Sequence, residues 1–333
     1  MRCAALACAL LLAACGRAPA PALAEPTRVC PGQPIGEVQL TGGTFTLGAA
    51  GMHEDEGPPR VVTVGPFSID RTEVTNAQFA EFVKATGYIT MAERKPDPAL
   101  YPGVPADRLK PSSLVFVGAK ALGSGDPSGW WRVIEGASWK HPEGPGSDLK
   151  GRERHPVVQV AYADALAYAR WRGRDLPTEA EWEFAARAGQ DGKRYEWGDE
   201  RPNPKTPRAN TWQGVFPAVD TADDGYEQRT APVGCYPPSA YGLSDMTGNV
   251  WEWTSGWFQD GRPPGDPMRA HLIKGGSFLC ADNFCYRYRP AARQPGPPDS
   301  GSSHVGFRTV KRGVVAPGRS SSQPAAKLDG GRI

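Results

Sequence analysis

The sequence predicts an α+β fold that carries little regular secondary structure. Glycine and proline are abundant, at 40 and 34 of 333 residues, which indicates many turns and irregular loops. Ten tryptophans, 10 tyrosines and 11 phenylalanines supply large apolar side chains for a core, and a disordered chain would lack them. Helical patterns occur among short strand patterns without a βαβ rhythm, so we expect helices packed on a small antiparallel sheet rather than a parallel sheet.

The helices have recognisable start and stop signals. Thr75 is placed to cap the first helix and Gly87 to end it, and Thr178 with Glu181 forms a capping box at the start of the third. The predicted helices span 75–87, 161–173 and 176–189. Strand-like runs occur at 43–48, 60–70, 155–160 and 271–278.

The N-terminus is predicted to be a targeting segment. Arg2 precedes a short apolar run, and Leu12-Ala13-Ala14-Cys15 resembles the lipobox of bacterial lipoproteins, in which the signal is cut before a lipid-carrying cysteine. The alternative is an ordinary secretory signal. We therefore expect a signal peptide at 1–14, a lipid on Cys15, and an exported protein anchored to a bacterial membrane, facing the periplasm or cell exterior.

The rest of the chain is predicted to hold one ordered domain between two polar segments. Residues 15–29 form an Ala/Pro tether that cannot build a core, and residues 313–333 are rich in Gly, Ser and Pro and are expected to be disordered. The ordered domain is predicted at 30–312. We do not expect this domain to bind nucleic acid, because the net charge of the chain is only +2 and no basic stripe occurs.

Several kinds of active site are excluded by the motifs that the chain lacks. The five histidines are scattered, with no HExxH motif or close His/carboxylate cluster, so zinc hydrolysis and a facial-triad iron site lack their usual ligands. There is no GxSxG motif for a serine hydrolase.

The remaining chemical candidate is a cysteine pair in GGSFLCADNFCYRYR, residues 275–289. Cys280 and Cys285 would lie roughly 16 Å apart in an extended strand, so bringing the two sulfurs together requires a loop over 281–284. Once close, they can form a disulfide, exchange with a substrate thiol or bind a soft metal such as Cu(I). An exported protein favours the disulfide on compartment grounds, and these alternatives stay open from the residues alone.

Two acidic loops are candidate sites for a hard cation. The segment 210–228 carries Asn210 and Asp224, and the segment 241–255 carries Asp245 and Glu252. Calcium takes carboxylate, amide and backbone carbonyl oxygens from irregular loops. Neither loop has EF-hand spacing, so solvated turn residues are an equal alternative.

The segment 275–289, followed by PPDSGSSHVGFR, resembles the catalytic segment of the formylglycine-generating enzymes, the sulfatase-modifying factors. The resemblance extends in order over about 38–312, through LPTEAEWEFAARAG, DDGY and YGLSDMTGNVWEWTS. It implies a variant C-type-lectin-like fold stabilised by Ca²⁺. It also implies an activity: oxidation of a cysteine in the C-x-P-x-R motif of unfolded sulfatases to Cα-formylglycine, with O₂ and Cu(I).

The resemblance implies roles for individual residues. Cys280 and Cys285 match the copper ligands, and Cys285 matches the cysteine that can form a mixed disulfide with substrate. Ser277 and Trp251 match residues that line the reaction pocket. The implied ligands of one calcium ion are Asn210, Thr211, Asp224 and Tyr226, and those of the other are Asp245, Gly248, Val250 and Glu252, with Thr211, Tyr226, Gly248 and Val250 acting through backbone carbonyls.

The cysteine pairing and the alternative functions complete the expectations from the sequence. Cys30 and Cys235 have no counterpart among the structural disulfides of secreted animal-type members, and we expect them to pair with each other. The rival function is a non-catalytic lectin-like binding or scaffold module with a structural Cys280–Cys285 disulfide. An iron-dependent sulfoxide synthase of the same superfamily is disfavoured by the missing histidine cluster.

Overall fold

The computed structural model describes residues 30, 32–118, 129–259 and 261–313. The predicted signal peptide, the lipid site at Cys15, the tether up to residue 29 and the tail beyond residue 313 lie outside these residues. In the described part, no helix has the length and apolar character needed to cross a bilayer.

Three α-helices form where the sequence predicts them. They are α1 (Asn76–Thr86), α2 (Tyr162–Trp171) and α3 (Glu179–Arg187). Helix α1 begins after Thr75, whose side chain accepts a hydrogen bond from the Gln78 N–H, and it ends at Gly87, which has a φ of 68°. The predicted capping box of Thr178 and Glu181 begins α3.

Short strands surround the helices in several small sheets. The strands are β1 (Glu37–Leu40), β2 (Gly43–Leu47), β3 (Arg60–Val64), β4 (Phe67–Asp70), β5 (Ser112–Phe116), β6 (Trp131–Glu135), β7 (Gly214–Val215), β8 (Val219–Asp220), β9 (Trp251–Trp257), β10 (His271–Lys274), β11 (Arg293–Gly296), β12 (Val305–Gly306) and β13 (Val310–Arg312). One sheet has the order β11-β10-β9-β12, another has β1-β4-β13, and three hairpins pair β2 with β3, β5 with β6 and β7 with β8. The β9–β12 pair is parallel and the other named pairs are antiparallel. The predicted α+β class is confirmed.

One predicted strand is wrong and two are shorter than expected. The run 155–160 makes only an isolated bridge from Pro156 to Thr75, because Gln159 adopts a φ of 60° and its buried amide donates to the Pro142 carbonyl at 2.6 Å. The run 60–70 divides into β3 and β4, and β10 ends before two glycines of positive φ.

The core consists of several aromatic-rich clusters, two of which support the site. One lies between α1, α2 and β9 and contains Phe79, Trp253 and Phe307. The other packs around Trp182 of α3 and includes Phe67 of β4. Each such ring removes a large apolar area from water, which compensates for the modest amount of regular structure.

A disulfide joins the N-terminal segment to the domain. Cys30 and Cys235 are bonded, with their Cα atoms 4.9 Å apart across 205 residues of sequence. The pairing expected from the sequence is confirmed, and it attaches the start of the domain beside the loop that contains Asp224.

Candidate active site

The cysteine segment leaves β10 through a close approach between two parts of the backbone. Gly276 has a φ of 77°, and a Cβ there would lie 2.8 Å from the Arg287 carbonyl oxygen and 2.8 Å from the Tyr288 Cα. Only glycine fits both the conformation and the space. The chain therefore folds back on itself, and the residues between 276 and 287 form a compact turn.

This turn brings the two cysteines together. The Ala281 and Phe284 backbones exchange hydrogen bonds of 3.0 and 3.1 Å, and the two Sγ atoms lie 3.0 Å apart. The loop over 281–284 required by the sequence is thus present. Both thiols are free; Cys280 is buried and Cys285 is half-buried, so Cys285 is the sulfur that a substrate can reach.

The two thiols have opposite protonation tendencies. Burial raises the pKa of Cys280, but hydrogen bonds from Cys285 and Ser277 outweigh it and bring that pKa below its usual value. The hydrogen bond to Cys280 and burial raise the pKa of Cys285 well above its usual value. Of the two thiols, Cys280 is therefore the first to lose its proton, and its thiolate would accept the Cys285 S–H.

The other two predicted site residues, Ser277 and Trp251, are buried on the core side of Cys280. Ser277 is fully buried, its hydroxyl hydrogen-bonds to Cys280, and its carbonyl accepts the Cys280 N–H at 2.9 Å. Trp251 is also fully buried and belongs to the same apolar cluster as Cys280.

An exposed aromatic surface lies beside Cys285. The Phe284 ring is 45% exposed and stacks on Phe216 with ring centroids 4.3 Å apart. Trp130 approaches the same ring at 5.4 Å. An apolar surface at the reachable thiol can hold an extended peptide by its side chains.

The first predicted calcium loop converges on a buried carboxylate. The Asp224 oxygens accept the Tyr226 N–H at 3.0 Å and the Thr211 N–H at 2.9 Å, and burial raises the pKa of Asp224 to about 7. The Asn210 Oδ1 atom is buried, with no hydrogen-bond partner among the described residues. An orphaned amide oxygen and a buried carboxylate in one loop fit a hard cation.

The second predicted calcium loop lies in a cluster of buried acids. Burial raises the pKa of Asp245 to about 6, and it raises the pKa values of Glu73 and Glu196 well above their usual value, with the Asp245 charge adding to both. Arg308 is the cation that contributes to all three. This excess of buried acid also fits a cation.

Glu252 has a second role in this cluster. Both of its carboxylate oxygens accept hydrogen bonds from Arg308, at 2.7–3.0 Å, and Oε2 also accepts the Trp182 Nε1–H at 2.7 Å. A calcium ion would share this carboxylate with Arg308. Among the described residues, no group of three or more His, Cys, Asp or Glu side chains is arranged to hold a metal, so a calcium ion here would need backbone carbonyls as ligands.

Backbone hydrogen bonds connect the two loops to the cysteine segment. The Gly248 N–H donates to the Gly275 carbonyl at 2.9 Å, and the Phe278 N–H donates to the Asn249 carbonyl at 3.0 Å. From the first loop, the Trp212 N–H donates to the Cys280 carbonyl at 3.0 Å. The order of both loops therefore bears directly on the position of Cys280.

Several residues that shape the site were missed by the sequence analysis. Glu73 and Glu196 join the second acidic cluster although they are distant from it in sequence. His53 and Glu56 contact the cysteine segment from the other end of the domain. Arg308 lies in the HVGFR motif, which was the one available signal, but a single sequence does not give its partner.

The arginines after Cys285 have partners other than the sulfurs. Cations close to a cysteine favour its thiolate, and Arg287, Arg289 and Arg293 follow Cys285 in the sequence. Their guanidinium groups pair instead with Asp55, Glu56 and Glu179. They act chiefly as ties between the cysteine segment and the rest of the domain.

This chain is similar to known proteins over most of its length. The profile of the "Sulfatase-modifying factor enzyme 1-like domain" matches residues 23–313. The formylglycine-generating enzyme of Mycobacterium tuberculosis is 48% identical over 290 residues, which cover 82% of this chain and 96% of that protein. The solved structure of PvdO from Pseudomonas aeruginosa is 28% identical, with a TM-score of 0.56 over 82% of this chain and 93% of that chain.

Not every relative is named as active. The "Inactive C-alpha-formylglycine-generating enzyme 2" of Bos taurus is 41% identical over 293 residues, which cover 86% of this chain and 91% of that protein. Similarity across the domain thus fixes the fold, the predicted variant C-type-lectin-like one, whereas activity has to be argued from the cysteine pair. On the profile and the curated relatives together, the chain belongs to the formylglycine-generating enzyme (sulfatase-modifying factor) family.

Proposed function

We propose that this protein is a copper-dependent oxidase that converts the cysteine of a C-x-P-x-R motif in unfolded sulfatases to Cα-formylglycine. The observation that carries the proposal is the pair of free thiols with sulfurs 3.0 Å apart in a member of this family. Two adjacent sulfurs, one of them with a lowered pKa, suit a soft metal such as Cu(I).

The two cysteines would have different tasks. Cys280 is buried on Ser277 and the Trp251 cluster and would act as the fixed ligand, while half-buried Cys285 would act as the ligand on the substrate side. The two cysteines would hold Cu(I), which would supply the activation of O₂ needed to oxidise the substrate cysteine. Phe284 and its aromatic neighbours would hold the peptide beside Cys285.

The electron balance of this reaction sets a requirement for any assay. Conversion of –CH₂–SH to –CHO with release of H₂S withdraws two electrons from the substrate, whereas reduction of O₂ to the aldehyde oxygen and one water takes four. Two electrons must come from a reductant, such as an added thiol. The same thiol keeps Cys280 and Cys285 from resting as a disulfide.

Calcium is proposed as a structural cofactor in the two acidic loops. The ligands would be Asn210, Thr211, Asp224 and Tyr226 in the first loop, and Asp245, Gly248, Val250 and Glu252 in the second. The orphaned Asn210 Oδ1 and the excess of buried acid around Asp245 support this proposal. Calcium would hold the loops that carry the hydrogen bonds to Cys280 and Gly275.

The proposed partners are unfolded sulfatases and O₂, with membrane contact through a lipid on Cys15 alone. The sequence of the N-terminal segment supports export to the periplasm or cell exterior. In that location the client sulfatase has to meet the enzyme before it folds.

A peptide assay tests the proposed function. The copper-loaded protein is incubated under air with a C-x-P-x-R peptide and a thiol reductant, and the peptide is followed by mass spectrometry. We expect the aldehyde with the wild-type protein and no more than background with Cys280→Ser. The same peptide with serine in place of its cysteine is the substrate control. Equal conversion by Cys280→Ser would contradict the proposal.

The rival function is a binding or scaffold module with a Cys280–Cys285 disulfide. The named inactive relatives of similar identity keep it as the second candidate. Tight Cu(I) binding that requires both thiols would argue against it, and a purified protein that holds the disulfide under mild thiol reductant and binds no copper would favour it.

A further inference from the structure

The backbone at Cys285 adopts a conformation that needs outside support. Cys285 and Tyr286 have φ values of 69° and 51°, so two consecutive residues with side chains lie in the left-handed region. Such residues are strained, and they persist when surrounding contacts hold them. Because the Sγ position of Cys285 depends on this backbone, whatever holds it also sets the distance between the two sulfurs.

Support comes from the loop between β2 and β3, which we call the clasp loop (residues 49–57). His53 Nε2 lies 3.1 Å from the Cys285 carbonyl oxygen, and the tautomer with a proton on Nε2 donates to it. Arg289 Nε donates to the Tyr286 carbonyl at 2.8 Å. Both strained residues are therefore held by their carbonyl groups.

Arg289 is itself fixed by the clasp loop. Its two terminal nitrogens donate to the Glu56 carboxylate at 2.8 and 2.5 Å, and both side chains are at most 2% exposed. A buried two-point pair of this kind restricts the guanidinium to one orientation. Glu56 thus acts on Tyr286 through Arg289.

The clasp loop is attached to α3 through Gly48, the residue that precedes it. The Ala49 N–H donates to the Glu56 carbonyl at 3.1 Å, which closes the loop. The Gly48 N–H donates to Glu183 Oε1 at 2.7 Å, and Arg187 Nη2 donates to the Gly48 carbonyl at 2.9 Å. Helix α3 therefore anchors the loop that places His53 and Glu56 beside the cysteine segment.

We propose that His53 and Glu56 are positioning residues for Cys285, and that the clasp loop holds its thiol at the distance from Cys280 that the site requires. The catalytic role of these two residues rests on the proposed function, because it concerns the same cysteine pair. The geometric part stands apart from copper and substrate, and it can be tested without either.

The test measures how readily the two thiols form a disulfide. In a glutathione buffer, the two protein thiols and one oxidised glutathione give the protein disulfide and two reduced glutathiones. The bonded fraction at equilibrium, read by thiol alkylation and mass spectrometry, reports how closely the fold holds the sulfurs together. Thermal melting shows that each variant is folded.

The His53 series decides the proposal. His53→Phe keeps a ring but removes the donor, and we expect its disulfide equilibrium constant to fall about fivefold, the order of one lost hydrogen bond. His53→Gln keeps a donor and should restore most of the loss. His141→Phe is the matched control, because His141 bonds the Ser147 carbonyl at 2.6 Å in another loop. An unchanged constant in His53→Phe, or equal losses in Phe and Gln variants, would overturn the proposal.

Glu56 is tested in the same buffer through Glu56→Gln, with Glu181→Gln as its control. Glu181 makes a similar two-point pair with Arg312 at 2.7 Å. A folded Glu56→Gln protein with the wild-type constant would contradict the role of Glu56. Since no copper or peptide is present, failure here leaves the peptide assay unaffected, and a negative peptide assay leaves this result intact.

Discussion

At the scale of single residues, the site separates two thiols of the same chemistry by their surroundings. Cys280 is buried, and hydrogen bonds from Ser277 and Cys285 bring its pKa below the usual value, whereas the pKa of Cys285 is raised. Cys280 is therefore the first of the pair to lose its proton as the pH rises, and Cys285 is the second. A bound cation is the condition under which both sulfurs are thiolates.

The Ser277 hydroxyl is expected to matter through this proton. In Ser277→Ala the hydrogen bond to Cys280 is lost, so the pKa of Cys280 should rise. We also expect kcat/KM for the peptide to fall roughly ten- to hundredfold, because a hydrogen bond to a charged group is worth about 1.5–3 kcal/mol. Thiolate absorbance as a function of pH measures the first effect. A Cys280 titration curve that coincides with that of the wild type would contradict this role.

At the scale of elements, the site depends on turns whose geometry leaves little room. Gly276 faces the backbone of Arg287 and Tyr288, and Gly248 faces the Asn210 carbonyl, 2.4 Å from the position of a Cβ. The sequence could predict the three helices and the caps that begin α1 and α3, because those signals are local. It could not predict that 155–160 is no strand, since the cause is a tertiary bond of the Gln159 amide.

Gly276→Ala tests the close approach at the cysteine turn. The added methyl group meets backbone atoms and the residue keeps a left-handed φ, so we expect a loss of at least about 2 kcal/mol in the free energy of unfolding. The control is Gly51→Ala, where φ is also positive but no atom lies within 4 Å. Chemical denaturation measures both. Equal losses in the two variants would show that the close approach has no cost of its own.

The two acidic loops give a second prediction at this scale. Removal of calcium by a chelator should lower the stability of the wild-type protein, by about 3 kcal/mol per site at a calcium concentration a hundredfold above Kd. Asp224→Ala should show a smaller response, and Asp223→Asn, in the same loop, should respond as the wild type does. The melting temperature with and without chelator measures this. A wild-type protein indifferent to chelator would contradict the calcium proposal.

At the scale of the whole molecule, residues from distant parts of the chain meet at one site. The clasp loop, the two acidic loops and the segment after β10 are brought together by the core and by long-range pairs such as Glu56–Arg289. The family resemblance supplied the candidate site residues, because its motifs are continuous. The residues that contact Cys285, Glu252 and Asp245 could not be predicted from the sequence, because they lie up to 232 residues away and leave no local pattern.

Buried histidines make a predictable contribution to acid sensitivity. Burial, with help from the Arg152 charge, lowers the pKa of His155 to about 4, against about 6.5 in an unfolded chain. The unfolded state then binds more protons below pH 6.5, so this histidine's contribution to stability is lost as the pH falls from about 6.5 towards 4.

The size of this effect is measurable by difference. Between pH 7 and pH 5 the wild-type protein should lose about 2 kcal/mol more stability than His155→Gln, which has no ring to protonate. Because buried acids such as Asp164, with a pKa raised to about 6 by burial, act in the opposite direction, the comparison of the two proteins isolates the histidine. If the stability of the two proteins fell equally with pH, His155 would not be the source of this acid sensitivity.

The central claim is that the Cys280–Cys285 pair carries copper and uses O₂. The most direct measurement follows a C-x-P-x-R peptide by mass spectrometry with metal-free and with Cu(I)-loaded protein, each under air and under nitrogen, with a thiol reductant present throughout. We expect the aldehyde only where copper and air are both present. Equal conversion without copper or without O₂, or no aldehyde from fully loaded and reduced protein, would contradict the account.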